Sequence, residues 1–182
     1  MGVNMVNITI SGHPGSGTTT LVDQIEQHFS WSSLNGGQIF REQAKAHGMS
    51  LKEFGEMCTS NLDVDRELDE ILKERMLSRT SEIVESRLAG WWAYQLNVDC
   101  VRVWLNVSSE ERARRVTKRE GISIEEAYEA NELRRNVDLS RFQELYGLNP
   151  EDATPYTHII EASSKTIDEI AIEVISILEG KQ

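Results

Sequence analysis

Gly12-His-Pro-Gly-Ser-Gly17-Thr-Thr19 sets two glycines five positions apart and a hydroxyl two residues beyond the second. Glycines at this spacing let successive backbone N–H groups converge on phosphate oxygens, and a helix opening behind them adds the positive end of its dipole. Thr19 can offer its hydroxyl to a Mg²⁺ that travels with the phosphates. The chemistry is that of a phosphate-binding loop, a P-loop.

Thr18, however, stands where the Walker A pattern has lysine. Two readings stay open on this stretch: a tight strand-to-helix turn that packs closely, or a phosphate loop whose positive charge comes from elsewhere. The chain has 19 Lys and Arg, and five of them lie in the eight residues from Arg112 to Arg119: Arg112, Arg114, Arg115, Lys118 and Arg119. On a helix, Arg112, Arg115 and Arg119 form one cationic stripe. The competing account is a solvated face with Glu110 and Glu111 paired to Arg114 and Arg115. A second set, Arg134, Asp138 and Arg141, falls at i, i+4 and i+7, again on one helix face. Two such sets favour work on phosphate, because one arginine closing over a transferring phosphoryl group is worth about 10³ to 10⁵ in rate.

Arg41 and Arg87 stand outside these helices, and Arg87 follows directly on an apolar run, where open α/β sheets bind ligands. Glu85 ends that run and can hold Mg²⁺ as acidic residues do in other P-loop enzymes, with a cap or loop role as the alternative. Asp63, Asp65 and Asp69 can accept from an exocyclic amine or a ribose, although an acidic helical face is commonplace.

These residues need strands and helices to position them. The apolar runs Val6 to Ile10, Ile83 to Val84, Val101 to Leu105 and His158 to Ile160 have the length of buried parallel strands, with helical stretches between them. A helix is expected from about Thr18 to Phe29 with Leu21, Ile25 and Phe29 on one face, and another after Thr166. Four Ser/Thr-x-x-Glu boxes mark helix starts at Ser50, Ser108, Ser123 and Thr166. The expected fold is a single α/β domain over 1–182 of the P-loop NTPase type. Its core is a parallel sheet of about five strands, the strand at 6 to 10 central, with helices on both faces. Two helical additions ride on it, one near 36–78 and one near 108–147. Trp91, Trp92 and Trp104 read as core packing before base-stacking platforms.

The net charge of −11 disfavours general binding to nucleic acid. Cys58 and Cys100 follow no metal or redox spacing, and residues 1–22, though free of charged side chains, are broken by Gly, Pro, Asn and His as no membrane segment or leader is. Reduced thiols, a cytoplasmic location and no membrane association are expected. Oligomeric state is not legible.

The chain resembles the archaeal-type cytidylate kinases, within the adenylate-kinase-like group of nucleoside monophosphate kinases. The resemblance rests on Ile8-Thr-Ile-Ser-Gly-His-Pro-Gly-Ser-Gly-Thr-Thr-Thr20, Gly37-Gln-Ile-Phe-Arg41, Gly48-Met-Ser-Leu51, Asp65-Arg-Glu-Leu-Asp69, Arg87-Leu-Ala-Gly-Trp91, Lys118-Arg-Glu-Gly-Ile122 and Tyr146-Gly-Leu148. It implies transfer of the γ-phosphoryl group of ATP to CMP, or to dCMP or UMP, with Mg²⁺. Gly12, His13, Pro14, Gly15, Ser16, Gly17, Thr18, Thr19 and Thr20 would cradle ATP, and Thr19 and Glu85 would hold the metal. Arg41, Arg87, Asp65 and Asp138 would bind the acceptor, and the segment near 36–78 would be its binding insertion. Arg87, Arg115, Arg119, Arg134 and Arg141 would be catalytic, with residues near Arg112 to Arg119 in a short lid. Thr18 is then a family trait. His13, Asn35-Gly36, Ser86, Thr157 and Glu161 depart from the usual pattern, and Leu88 stands where bacterial relatives have an aspartate, so their cytosine recognition does not carry over. The rivals are a kinase for AMP or another small acceptor, and a regulatory module that binds nucleotide without transfer.

Overall fold

The computed structural model describes residues 6–78 and 80–180. Residues 1–5 of the uncharged leading stretch lie outside it. The elements run β1 Ile8–Gly12, α1 Thr18–Phe29, β2 Ser33–Asn35, α2 Gly36–Ala46, α3 Leu51–Ser60, α4 Leu62–Leu77, β3 Ile83–Glu85, α5 Ala89–Gln95, β4 Val101–Asn106, α6 Ser109–Glu120, α7 Ile124–Tyr146, β5 His158–Glu161 and α8 Ile167–Glu179. The five strands are parallel in the order β2-β3-β1-β4-β5, so β1 is central and its C-terminal end feeds the glycine loop.

Both faces of the sheet are covered, as crossovers between parallel strands require. On one face Ile8 and Ile10 join Leu21, Val22 and Ile25 of α1 and Ile170, Val174 and Leu178 of α8. On the other, Leu34 and Val84 join Ile39, Leu72, Met76, Trp92 and Phe142, drawn from α2, α4, α5 and α7. The second core thus binds the helical segment after β2 to the sheet. α5 meets the Tyr156 ring, in the segment before β5, at a glycine: a Cβ on Gly90 would come within 2.4 Å of that ring. Trp91, Trp92 and Trp104 are buried, as expected.

Several expectations shift. The first strand runs to Gly12 and not from Val6, because Gly12 still pairs with Leu105. The edge strand β2 reads Ser-Leu-Asn with only Leu34 buried, which is too short and polar to show as an apolar run. Reciprocal capping boxes form at Ser50, Ser123 and Thr166, but Ser108 makes only its own half. The Glu111 carboxylate that would complete it holds Arg114 and Arg115 instead. Neither Cys58 nor Cys100 is in a disulfide. Among the described residues no helix is long and apolar enough to cross a membrane.

Candidate active site

The strand β1 turns through residues 13–17 into α1, and Gly15 and Gly17 take φ of 84° and 87°, a left-handed backbone that side-chain-bearing residues avoid. The peptide N–H groups of such a turn point into one hollow at a helix start, the geometry of an anion nest. Thr18 opens α1, nearly buried, and its hydroxyl donates to Glu85 Oε1 at 2.5 Å. Thr19 donates to the same oxygen at 3.1 Å. A hydroxyl and a carboxylate converging there are hard oxygen donors and fit Mg²⁺, which keeps several waters and phosphate oxygens for its other positions. Among the described residues no group of three or more His, Cys, Asp or Glu gathers as a metal cage, and a metal so held needs none.

From Thr19 and Glu85 a cleft of about 700 Å³ opens between the sheet and the helices α2, α3, α4 and α7. Its wall brings together Arg41, Arg87, Arg134 and Arg141 with Asp65 and Asp138. Arg87 Nε donates to Asp138 Oδ2 at 3.2 Å, Arg141 Nη2 donates to Asp138 Oδ1 at 3.2 Å, and Arg141 Nε lies 3.0 Å from Asp65 Oδ2. That last approach is a charge contact without hydrogen-bond alignment, so both atoms stay buried with unused hydrogen-bonding capacity. Burial pushes the Asp65 carboxyl above the usual range, Arg141 opposes the shift and Asp138 adds to it. Burial and the neighbouring Arg87 hold Arg134 below the ordinary arginine value, while Asp138 pulls the other way.

One turn beyond Asp65 on α4, Asp69 accepts from the Tyr146 hydroxyl at 2.7 Å. Burial drives its pKa up to about 6, against the Tyr146 bond, which lowers it. Phe40, Leu68, Leu72 and Phe142 line this part of the cleft, an apolar wall around the two aspartates and Arg141. Asp63 does not line it; it pairs with Arg66 on the outside of α4.

The α6 arginines are placed otherwise. Arg112 is only 2% exposed and gives Nη1 to Pro14 O at 3.2 Å and Nη2 to Ser109 Oγ and Glu132 Oε1. Arg115 gives Nη1 to Ser16 O at 2.8 Å and Nη2 to Ala162 O at 2.7 Å. Both therefore grip the carbonyl side of the glycine loop, leaving its N–H groups to the hollow. Glu111 takes both Arg114 and Arg115, whereas the sequence expectation divided them between Glu110 and Glu111. Arg119 stands apart at the end of α6, exposed and paired with Glu120. His13 turns away from the cleft: its ring sits edge-on to Trp104 and its Nε2 lies 2.6 Å from Glu151, which Arg135 of α7 also holds. Burial lowers the His13 pKa, with Glu151 opposing.

Sequence reasoning had Arg112 as part of a cationic stripe and missed its grip on Pro14. No signal in the chain marks a buried arginine, since beyond Ser109 its partners lie 98 and 20 residues away. Tyr146 as the partner of Asp69 was equally hidden, 77 positions apart.

Comparison with known proteins agrees with this architecture. Solved structures of a shikimate kinase from Bacteroides thetaiotaomicron and a gluconokinase from Sinorhizobium meliloti superpose with TM-scores of 0.60 and 0.61. They cover 96% and 98% of this chain and 99% and 94% of their own, at 16% identity each, which is likeness of fold. In sequence, the cytidylate kinase of Methanopyrus kandleri is 37% identical over 172 residues, 90% of this chain and 88% of that protein. The cytidylate kinase of Methanospirillum hungatei is 33% identical over 178 residues, 97% and 98%. The model of the Cytidylate kinase-like family matches residues 7–164. With most of both lengths aligned and a phosphate loop opening onto an arginine-lined cleft, the chain belongs to the cytidylate kinase-like family.

Proposed function

We propose that this protein transfers the γ-phosphoryl group of ATP to CMP, giving ADP and CDP, with dCMP and UMP as the neighbouring acceptors. The observation that carries this reading is one cleft in which Thr19, beside the glycine loop, and Glu85, at the end of β3, share a wall with Arg41, Arg87, Arg134 and Arg141. Donor and acceptor phosphates would meet there.

Gly12 to Thr20 would cradle the ATP phosphates through backbone N–H groups. Thr19 and Glu85 would hold Mg²⁺, which when bound supplies a Lewis acid that neutralises phosphate charge. Arg41 and Arg87 would hold the acceptor phosphate, and Asp65 and Asp138 would orient the arginines and the nucleoside beyond. An oxygen of that phosphate, already anionic, attacks the γ-phosphorus while the bond to the β,γ-bridging oxygen breaks and its electron pair leaves on ADP. No proton has to be removed, so positioning and charge stabilisation do the catalysis. Arg134 and Arg141 on α7 would meet the charge that spreads over the transferring group. Arg119 would join them only if the α6–α7 turn folds over the cleft, and Arg115 would act through the loop it grips. Movement of the 36–78 helices and of the 108–147 hairpin would exclude water.

ADP production with ATP and Mg²⁺ and each of CMP, UMP, AMP, GMP and shikimate tests the reading. CMP is expected to give the highest kcat/KM. AMP ahead of CMP would overturn the acceptor, and no acceptor-dependent ADP would overturn the transfer itself.

A further inference from the structure

Thr18 has a contact that a lysine at its position would not have. Its hydroxyl gives the shortest hydrogen bond at the phosphate loop, 2.5 Å to Glu85 Oε1, and its methyl fits against Gly12 only because that residue carries no Cβ, which would come within 3.0 Å of it. At 8% exposed, the side chain is enclosed with its hydroxyl turned to the carboxylate. Glu85 is equally enclosed, also 8% exposed, at the last position of β3. Both hydroxyls meet the same carboxylate oxygen, Oε1, so Oε2 is engaged by neither of them.

We propose that Thr18 is a positioning residue for the metal-binding carboxylate: its hydroxyl locks Glu85 through Oε1 and leaves Oε2 to face the cation beside Thr19. The inference rests on the reading of Thr19 and Glu85 as the Mg²⁺ site. The two threonines divide the labour by bond length. Thr19, at 3.1 Å, makes the looser bond, and a hydroxyl that donates its proton to a carboxylate keeps lone pairs for a metal. Thr18 makes the tighter bond and orients the ligand, as groups behind metal ligands do elsewhere.

The same geometry gives a physical reason for a neutral residue here. An ammonium set in this enclosed space against Glu85 would form a buried ion pair and cancel the charge that attracts the cation. A hydroxyl orients the carboxylate and leaves its full charge in place. The duties usually joined in one lysine are then divided among Thr18 at the metal side, Arg112 and Arg115 at the loop carbonyls, and the cleft arginines at the phosphates.

The test is binding, read apart from turnover. Mn²⁺ affinity of the protein·ATP complex is measured by electron paramagnetic resonance, and ATP affinity without metal by calorimetry in EDTA. These are done for wild type, Thr18→Val, which keeps the shape and removes the hydroxyl, and Thr18→Ser, which keeps the hydroxyl. Thr18→Val is expected to weaken Mn²⁺ by about 10-fold or more, the range for losing a group behind a metal ligand, with metal-free ATP affinity within about twofold. Thr18→Ser should stay near wild type. In a Glu85→Gln background, Thr18→Val should have little further effect on Mn²⁺. Should valine disturb the fold, Thr18→Ala removes the same hydroxyl and carries the same expectation. Wild-type Mn²⁺ affinity in Thr18→Val, or an equal loss with and without Glu85, overturns this inference alone. A wild-type complex that takes up no Mn²⁺ overturns it together with the metal site on which it rests.

Discussion

Two groups of arginines, similar in the sequence, do different things in the fold. Arg112 and Arg115 on α6 reach the backbone carbonyls of Pro14, Ser16 and Ala162, while Glu132 and Glu111 take others of their donors. Arg87 and Arg141 in the cleft spend theirs on carboxylates, and Asp138 serves both. A buried carbonyl has no other partner to turn to, so the α6 bonds belong to the architecture. A carboxylate shared by two arginines is a place-holder that a phosphate can rival, because both present anionic oxygens that the guanidinium fork can engage in pairs. What the guanidinium faces, more than its exposure, separates a brace from a ligand.

Substitution can break that comparison. The largest effect is expected at Arg87: Arg87→Ala should lower kcat/KM for the acceptor by about 10³, with the melting temperature nearly unchanged. Near-normal kinetics would remove the phosphate role and with it the contrast. Arg112→Leu should do the reverse, costing about 1–3 kcal/mol of stability because the Pro14 carbonyl loses its partner and Glu132 keeps only Ser109 and Arg135. Calorimetric unfolding reads this, and an unchanged transition would show that α6 braces nothing. Asp138→Asn should sit between the two kinds, raising KM for the acceptor by about 10-fold as two charge-assisted bonds weaken, with little loss of stability. An equal fall in stability would place Asp138 with the architecture.

The smallest effect concerns the discomfort of charge in the cleft. Asp69 has a pKa of about 6 in the folded chain against 3.8 for the free group, so between these values the folded state holds the extra proton. Stability from this group is present below about pH 4 and is lost as pH rises through 6. Asp69→Asn should therefore melt roughly 2–4 °C above wild type at pH 8, with the gap closing toward pH 4. A gap that does not change with pH would mean the carboxylate carries no such cost. A stability gain accompanied by a loss of acceptor discrimination would mark Asp69 as a residue kept for binding.

Much of this was legible in the chain itself. The glycine spacing at 12 and 17, the apolar runs and the caps gave the sheet, its central strand and the helical segment after position 36. These are local signals, carried by backbone freedom, alternation and side chains three or four apart. β2 escaped because three residues with one buried leucine make no pattern. The Arg134, Asp138, Arg141 spacing pointed to the cleft because all three share one helix. Arg87 was found through its place after a strand.

The amino-acid sequence alone thus determined that a glycine loop without lysine sits at the end of a central strand, with five of the chain's 19 cations gathered between Arg112 and Arg119. Only the tertiary structure decided which arginines hold the loop and which line the cleft, and that Thr18 reaches Glu85. The pairings Arg87–Asp138, Thr18–Glu85, Arg112–Pro14 and Arg115–Ser16 join residues from 51 to 99 positions apart. Such distances carry no periodicity to read, and a hydrogen bond forms only where the packed core brings its two ends together.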